Sequence, residues 1–225
     1  MMESELRDRH IKWLTNTRID EVKRELMCVS ELGDDGSVKK KHELPFRYAM
    51  ILPAFRGVPA VFGLDGLTNP RGFIIVDGHQ RNPTFRNVFA LGVCVAIPPV
   101  GQTPIPVGVP KTGFMIESMS TAIAANITAL QEGREPTAEA TWNAVCLADF
   151  GDGGFAFVAQ PQIPPRNLNW SASGFWVHYA KVAFEKYFLR KIRRGEVDTP
   201  YERAVLKLIG IDKLKEPRRA DAVAD

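Results

Sequence analysis

Cysteine and histidine are scarce and scattered in this sequence. Its 225 residues contain three cysteines, Cys28, Cys94 and Cys146, without a C-x-x-C pair, and four histidines without metal-ligand spacing. No metal site is therefore predicted, and neither is a disulfide framework. Because the number of cysteines is odd, at least one thiol stays free, which suits a reducing compartment or a thiol with a chemical role.

Long apolar runs are also missing. No window of about 18 apolar residues occurs, so no transmembrane helix is predicted. Residues 1–8 are charged and lack an apolar segment, so no secretory signal is expected either. The 45% apolar and 24% charged residues fit one large globular domain or two small ones. The net charge of +3 is too small to predict a nucleic-acid partner.

The glycine motifs that bind nucleotides are not found. The sequence has no G-x-G-x-x-G and no G-x-x-x-x-G-K-[ST], so it carries neither a dinucleotide fingerprint nor a P-loop of its own. Residues 108–113 (G-V-P-K-T-G) share some residues with a P-loop, but the order is wrong. Pro110 also interrupts the run of backbone N–H donors that a P-loop needs.

The residues that are present predict a mixed α/β chain. Residues 25–31 alternate in polarity and residues 38–44 form a polar strand, and the Asp-Gly turn between them predicts a β-hairpin. Short apolar runs predict buried strands at 47–52, 72–77 and 87–93, and further strands at 142–148 and 155–159. Apolar spacings of three and four predict helices at 113–130, from Trp176 through Phe188, and after Pro200. No regular element is predicted beyond Glu216.

The order of two apolar strands is informative. G-F-I-I-V-D at 72–77, a gap, and N-V-F-A-L-G-V at 87–93 follow the order seen in flavoproteins with two dinucleotide-binding domains. In such proteins the last strand brings a Gly-Asp pair to FAD, and the next helix directs its N-terminus at the cofactor. Two ordinary buried strands of an α/β domain would look the same, so both interpretations stay open on these residues.

Several unusual segments then follow in a fixed order. They are the proline-rich stretch 95–113, residues 115–119, T-W-N-A-V-C-L-A-D at 141–149 and W-V-H-Y-A-K-V-A-F-E-K-Y-F at 176–188. Together they resemble the C-terminal half of the sulfide:quinone oxidoreductase family and, more weakly, the flavin subunit of flavocytochrome c sulfide dehydrogenase. The resemblance runs from about residue 6 to residue 214. It implies an α/β class, with part of a two-Rossmann-domain FAD/NAD(P)-binding fold and a C-terminal amphipathic helical region.

This resemblance also implies a domain division. Residues 1–82 would be the remainder of the second nucleotide-binding-like domain, residues 83–135 the C-terminal part of the FAD domain, and residues 136–225 a quinone- and membrane-associated region. The first Rossmann unit and the partner cysteines would lie upstream. An alternative hypothesis is therefore a split or truncated chain that is not catalytic without an N-terminal partner.

The implied reaction is oxidation of sulfide to polysulfur, with electrons passing through FAD to a membrane quinone. Cys146 matches the redox cysteine that holds the growing polysulfur. Lys181 and Phe184 match positions near the quinone ring, and Leu147 stands where an aromatic residue can flank it. Without the resemblance, Cys146 would be an inert strand residue and Phe184 an ordinary core residue.

The FAD-binding positions match less completely. Lys111, Thr112 and Gly113 match a turn that contacts FAD at a helix N-terminus. Gly92 and Val93 stand where many flavoproteins carry the Gly-Asp that binds the ribitol, and valine lacks that carboxylate. The resemblance assigns no role to Cys94 or Cys28.

The predicted helix from Trp176 combines an aromatic face with a cationic run at 186–194. Aromatic residues at the interface and cations toward anionic headgroups are typical of a helix that lies on a membrane surface. A peripheral protein of the cell membrane is therefore predicted. The same face could instead pack on its own domain or form a homo-oligomer interface. An exported, cytochrome-linked enzyme would have less need of such a helix.

Overall fold

The computed structural model describes residues 2–99, 101–105, 108–163, 165–196, 199–208 and 210–215. These residues form two units, one within 1–55 and 98–109 and the other within 56–97 and 110–225. The tail beyond Glu216 lies outside the described residues. The division into residues 1–82, 83–135 and 136–225 that the sequence implies does not coincide with these two units, and it stays a prediction.

The first unit contains a short helix and one antiparallel sheet. The elements are α1 (Met2–Asp8), β1 (Thr17–Lys23), β2 (Leu26–Leu32) and β3 (Val38–Pro45), with β2 in the centre of the sheet. Asp35 holds the turn between β2 and β3, since its carboxylate accepts hydrogen bonds from the Ser37 N–H at 3.0 Å and the Ser37 hydroxyl at 2.7 Å. The predicted hairpin is confirmed.

The predicted buried strand at 47–52 is wrong. These residues carry no regular structure, and Tyr48, Met50 and Leu52 are 83%, 75% and 76% exposed. Among the described residues no strand pairs with them, so these three side chains are not covered by a sheet.

The second unit is built around α2 (Gly113–Gln131). Met115, Met119 and Ala122 on one face of this helix are fully buried against Ala90 and Val95. This face explains why the predicted apolar spacing of the helix is confirmed, since a half-buried helix buries residues three and four apart.

The predicted strands at 72–77 and 87–93 are wrong as continuous strands. They make only isolated bridges, such as Ile74 to Val95, and residues Gly92–Cys94 form a 3₁₀ turn. Asp77 ends the first run, because its carboxylate accepts hydrogen bonds from the N–H of His79 at 2.8 Å and of Arg81 at 3.0 Å. Gly92 ends the second run, because its positive φ of 74° turns the chain away from an extended path.

A second antiparallel sheet and two helices complete this unit. The sheet has the order β4 (Ala144–Asp149), β5 (Gly154–Gln160) and β6 (Leu168–Gly174). The helices are α3 (Trp176–Arg193) and α4 (Pro200–Leu208). The strands β4 and β5 and both helices were predicted, whereas β6 was not, although its sequence L-N-W-S-A-S alternates apolar and polar residues as a strand does.

Helix α3 packs closely on β4 and β5. Val177 is fully buried in this contact. A Cβ atom placed on Gly154 would lie 2.7 Å from the Val177 side chain and 2.5 Å from the Ala148 carbonyl oxygen. Glycine at position 154 therefore permits the approach that brings α3 over the edge strand β4.

Candidate functional site

A largely apolar cavity of about 710 Å³ lies in the second unit. Its walls come from the N-terminus of α2, the edge strand β4 and the helices α3 and α4. Six residues singled out from the sequence are among its lining: Thr112, Gly113, Cys146, Leu147, Lys181 and Phe184. The structure therefore brings together residues that are up to 72 positions apart in the chain, from Thr112 to Phe184.

Cys146 lies on the open edge of its sheet. It pairs with Phe157 of β5 on one side, and its thiol is free and half-buried. Because β4 is an edge strand, the neighbours Val145 and Leu147 reach the same cavity. Burial raises the pKa of the Cys146 thiol, and the positive charge of Lys181 acts in the opposite direction. The thiol therefore has a cation within electrostatic reach.

Lys181 and Phe184 lie one turn apart on the same face of α3. The Lys181 ammonium donates a hydrogen bond to the Leu147 carbonyl oxygen at 3.2 Å, which ties α3 to the strand that carries Cys146. The Phe184 ring stacks on Phe188 with centroids 5.7 Å apart and an interplanar angle of 24°. Phe184 is still 51% exposed, so a ring face remains available at the cavity.

A buried ion network adjoins this apolar wall. The Lys191 ammonium lies 3.1 Å from a Glu117 oxygen and 2.8 Å from a Glu202 oxygen. Lys213 lies 2.5 Å from Glu202 and 3.4 Å from Glu117. Two carboxylates and two ammonium groups thus neutralise each other, as buried charges must. The network joins α2, α3, α4 and the segment after α4.

The pKa values agree with this pairing. Burial opposes the charge of Glu202, yet hydrogen bonds from Lys191, Lys213 and Tyr187 prevail and lower its pKa to about 2. Burial, and then the hydrogen bond to Glu202, raise the pKa of Tyr187 to about 12. The Tyr187 hydroxyl donates to Glu202, so at neutral pH tyrosine is neutral and glutamate is charged.

This network was missed in the sequence. Lys191 was counted with the cations predicted to face headgroups, and that placement is wrong, because only 3% of its surface is exposed. The spacing held a signal: Phe184, Tyr187, Phe188 and Lys191 recur at steps of three, one and three. They therefore share the inner face of α3, where a charged residue needs a partner.

The predicted FAD positions separate into two groups. Thr112 and Gly113 line the cavity at the N-terminus of α2, whereas Lys111, Gly92 and Val93 do not. The Lys111 ammonium lies 5.4 Å from the centre of the Phe73 ring, and burial, followed by the charge of Arg71, lowers its pKa.

Gly92 and Val93 lie in the 3₁₀ turn of the same unit. The Gly92 N–H faces the Met119 sulfur at 3.4 Å, and Val93 is 47% exposed. The structure therefore leaves the Val93 side chain at the surface.

Neither a metal cluster nor a membrane-spanning helix occurs among the described residues. Within those ranges, no three His, Cys, Asp or Glu residues are grouped so that they could hold a metal ion. Among the helices of that same part of the chain, none has the length and apolar content needed to cross a bilayer.

The chain is similar in sequence and in structure to a known protein. No protein-family model matches the chain. It is 38% identical over 210 residues to the sulfide-quinone reductase of Aquifex aeolicus (strain VF5), a match that covers 92% of this chain and 48% of that relative. The X-ray structure of the sulfide:quinone oxidoreductase from Aquifex aeolicus superposes with a TM-score of 0.87 at 36% identity. That match covers 100% of this chain and 52% of the other.

The fold thus belongs to the α/β class and is part of a Rossmann-like flavoprotein fold. The chain belongs to the sulfide:quinone oxidoreductase family and corresponds to the C-terminal half of its members. It spans about half the length of the curated relative that it matches.

Proposed function

We propose that this chain forms the sulfur- and quinone-binding half of an enzyme that oxidises sulfide to polysulfur and reduces a membrane quinone. The observation that carries the proposal is the convergence of Cys146, Leu147, Lys181 and Phe184 on one apolar cavity. A quinone is an apolar ring with polar oxygens, and a cavity of about 710 Å³ with few polar groups suits such a ligand.

The residues at the start of α2 fit FAD. The first turn of this helix has no acidic residue, and Thr112 makes no side-chain cap hydrogen bond. A Cβ atom on Gly113 would meet nothing within 4 Å, so the helix N-terminus is open to a ligand. Thr112, Gly113 and the adjacent Lys111 would hold the cofactor, with Gly92 and Val93 as further contacts. Bound FAD would carry two electrons from sulfur to quinone.

Cys146 would handle sulfur in this proposal. Hydrosulfide attacks a sulfur bridge between Cys146 and a cysteine of the N-terminal half, so that one S–S bond forms and another breaks. The displaced sulfur leaves as a thiolate. The Lys181 charge, which already opposes the burial-induced rise of the Cys146 pKa, would stabilise a thiolate at this position.

The quinone would lie against α3. Phe184 would stack on the quinone ring, and Leu147 would contact its other side. Lys181 would donate a hydrogen bond to a quinone oxygen, as its ammonium now donates to the Leu147 carbonyl oxygen at 3.2 Å. A cation there would favour the reduced quinone, because negative charge develops on that oxygen.

A peripheral position on the membrane is supported by the outer side of α3 and α4. Phe175, Trp176 and Tyr179 are 58%, 47% and 59% exposed, and Leu208 of α4 is 87% exposed. The last turn of α3 adds the exposed cations Arg190 and Arg193. A lipid-soluble acceptor would reach the cavity from such a surface, which favours quinone over a soluble cytochrome. Co-sedimentation with anionic vesicles, lost on Trp176→Ser with Leu208→Ser, tests this part.

The decisive experiment measures sulfide-dependent reduction of a quinone analogue. The enzyme tested is this chain combined with the N-terminal half of a family member. Cys146→Ser is expected to lower the rate at least about 100-fold, since the sulfur acceptor is removed. Cys28→Ser is the matched control, because Cys28 is a free thiol in β2 of the first unit, and its rate is expected to stay unchanged. An equally active Cys146→Ser variant would contradict the assignment.

A second candidate is a chain that is not catalytic by itself. The coverage of only 48% of the curated relative favours it. Flavin absorbance distinguishes the two: the purified chain alone would be colourless and would turn yellow with the N-terminal half. A chain that is yellow and active alone would exclude this candidate.

A further inference from the structure

The segment that follows β3 exposes apolar side chains in an unusual density. Its sequence at 47–55 is R-Y-A-M-I-L-P-A-F, and every residue from 50 to 56 is exposed. Tyr48, Met50 and Leu52 expose 83%, 75% and 76% of their surface, and Ile51 exposes 42%. Contiguous apolar patches on a protein surface mark interaction sites.

The backbone of this segment is also available. The last backbone hydrogen bond before it joins the Phe46 N–H to the Glu25 carbonyl oxygen at 3.0 Å. Within the part of the chain that the structure describes, the main chain of residues 48–52 makes no backbone hydrogen bond. An extended run of free N–H and C=O groups is a template for another strand.

The side-chain pattern indicates what kind of sheet this strand needs. In an extended strand Tyr48, Met50 and Leu52 would lie on one side and Ala49 and Ile51 on the other, so both sides would be apolar. A strand that is apolar on both sides belongs inside a sheet with both faces covered. A strand of a sheet with one solvated face would alternate apolar and polar residues.

We propose that residues 48–52 are a docking strand for the N-terminal half of the same family, which supplies the neighbouring strands and covers both faces. The proposal deepens the proposed function and rests on it for the identity of the partner. The relatives are about twice as long as the matched region, so about half of their length has no counterpart in this chain. A second copy of this chain would pair one edge but would leave both apolar faces uncovered.

The test uses the full 225-residue chain co-expressed with the N-terminal half of the Aquifex aeolicus relative, the part that this chain does not match. Hydrogen exchange is measured at the amides of 48–52 in the complex and in the chain alone. We expect complete exchange within seconds in the chain alone and at least about 100-fold slower exchange in the complex, because strand hydrogen bonds protect amides. Amides of β2 serve as the internal reference for folding.

Variants separate this surface from other exposed apolar groups. Met50→Asp with Leu52→Asp is expected to weaken binding of the N-terminal half at least about tenfold, since charges would enter a buried sheet. The matched control is Leu189→Asp with Ile192→Asp, which alters residues 45% and 60% exposed in the second unit and is expected to leave binding unchanged. The substituted side chains are exposed, so circular dichroism of each chain alone should match the parent.

Two outcomes would overturn the proposal. One is equally fast exchange of 48–52 in the complex and in the chain alone. The other is protection that grows with the concentration of the chain alone, which would assign the segment to self-association. A complex that protects 48–52 but does not reduce a quinone analogue would contradict only the proposed function. A complex that reduces the analogue without protecting 48–52 would contradict only the docking strand.

Discussion

Strand β4 and the segment 47–52 have similar apolar runs, but only β4 forms a strand. A-V-C-L-A-D in β4 pairs with β5 and lies beneath α3, whereas R-Y-A-M-I-L carries no regular structure and is largely exposed. An apolar run therefore predicts that a segment needs cover, but the cover must come from elsewhere in the molecule. Where β5 and α3 supply it, a strand and a cavity form. Where no described residue covers the apolar run, its side chains stay at the surface.

The cavity region is also held together by buried ion pairs, which the exposed segment lacks. Glu117, Lys191, Glu202 and Lys213 link three helices and the chain after α4 through ion pairs between 2.5 and 3.4 Å long. Breaking that network and altering the exposed segment should therefore have very different effects on stability.

The largest effect is expected from Lys191→Met. It leaves two carboxylates to share Lys213, and removing one partner from a buried charge network costs about 3 kcal/mol. The free energy of unfolding in urea measures this loss. Arg134→Ala is the matched control, since the Arg134–Glu132 pair is 64% and 54% exposed and should contribute less than about 0.5 kcal/mol. Equal effects of the two substitutions would show that the network does not stabilise the cavity region.

A comparable effect is expected on acidification. The pKa of Glu202 is about 2 in the folded chain, against an ordinary value of 4.5, so the folded state binds fewer protons than the unfolded state. Its contribution to stability is then complete above about pH 5 and is lost as the pH falls toward 2. Urea midpoints measured across this range should fall less steeply for Glu202→Gln than for the parent. Identical slopes would contradict the low pKa.

Local sequence patterns predicted most of the elements whose conformation depends on residues close in sequence. The hairpin of β2 and β3 follows from alternation and an Asp-Gly turn, and α2 and α3 follow from apolar spacing. The strands at 72–77 and 87–93 failed because single residues, Asp77 and Gly92, redirect the chain. The strand β6 was missed although Leu168, Trp170 and Ala172 alternate with polar residues, the pattern of a strand, and it pairs with β5.

The candidate site likewise has a part that the sequence predicted and a part that it did not. Cys146, Leu147, Lys181 and Phe184 were found through the family resemblance, and their meeting in one cavity depends on the packing of α3 on β4. The sequence alone could not predict the ion network. Glu117 and Glu202 are 85 residues apart, and each looks like an ordinary surface residue of a helix. Only their burial in three dimensions makes them partners.

A further effect concerns the reactivity of Cys146. Burial raises the pKa of its thiol, whereas Cys94 is exposed, so iodoacetamide should modify Cys146 about tenfold more slowly at pH 8. Lys181→Met removes the opposing charge and should slow Cys146 by roughly another two- to fivefold, the contribution of one partly exposed charge pair. Lys186→Met, on the same helix but outside the cavity lining, should not. Mass spectrometry of tryptic peptides resolves the two thiols.

The smallest effect is expected in the exposed segment. Met50→Ser with Leu52→Ser removes side chains that are 75% and 76% exposed, so little buried area is lost. The free energy of unfolding of the chain alone should change by less than about 0.5 kcal/mol. Phe155→Ser in β5, where the side chain is only 9% exposed, would cost several times more, because a large-to-small change there leaves a cavity. A large loss at 48–52 would mean that the segment already packs against the chain itself, and the contrast with β4 would then disappear.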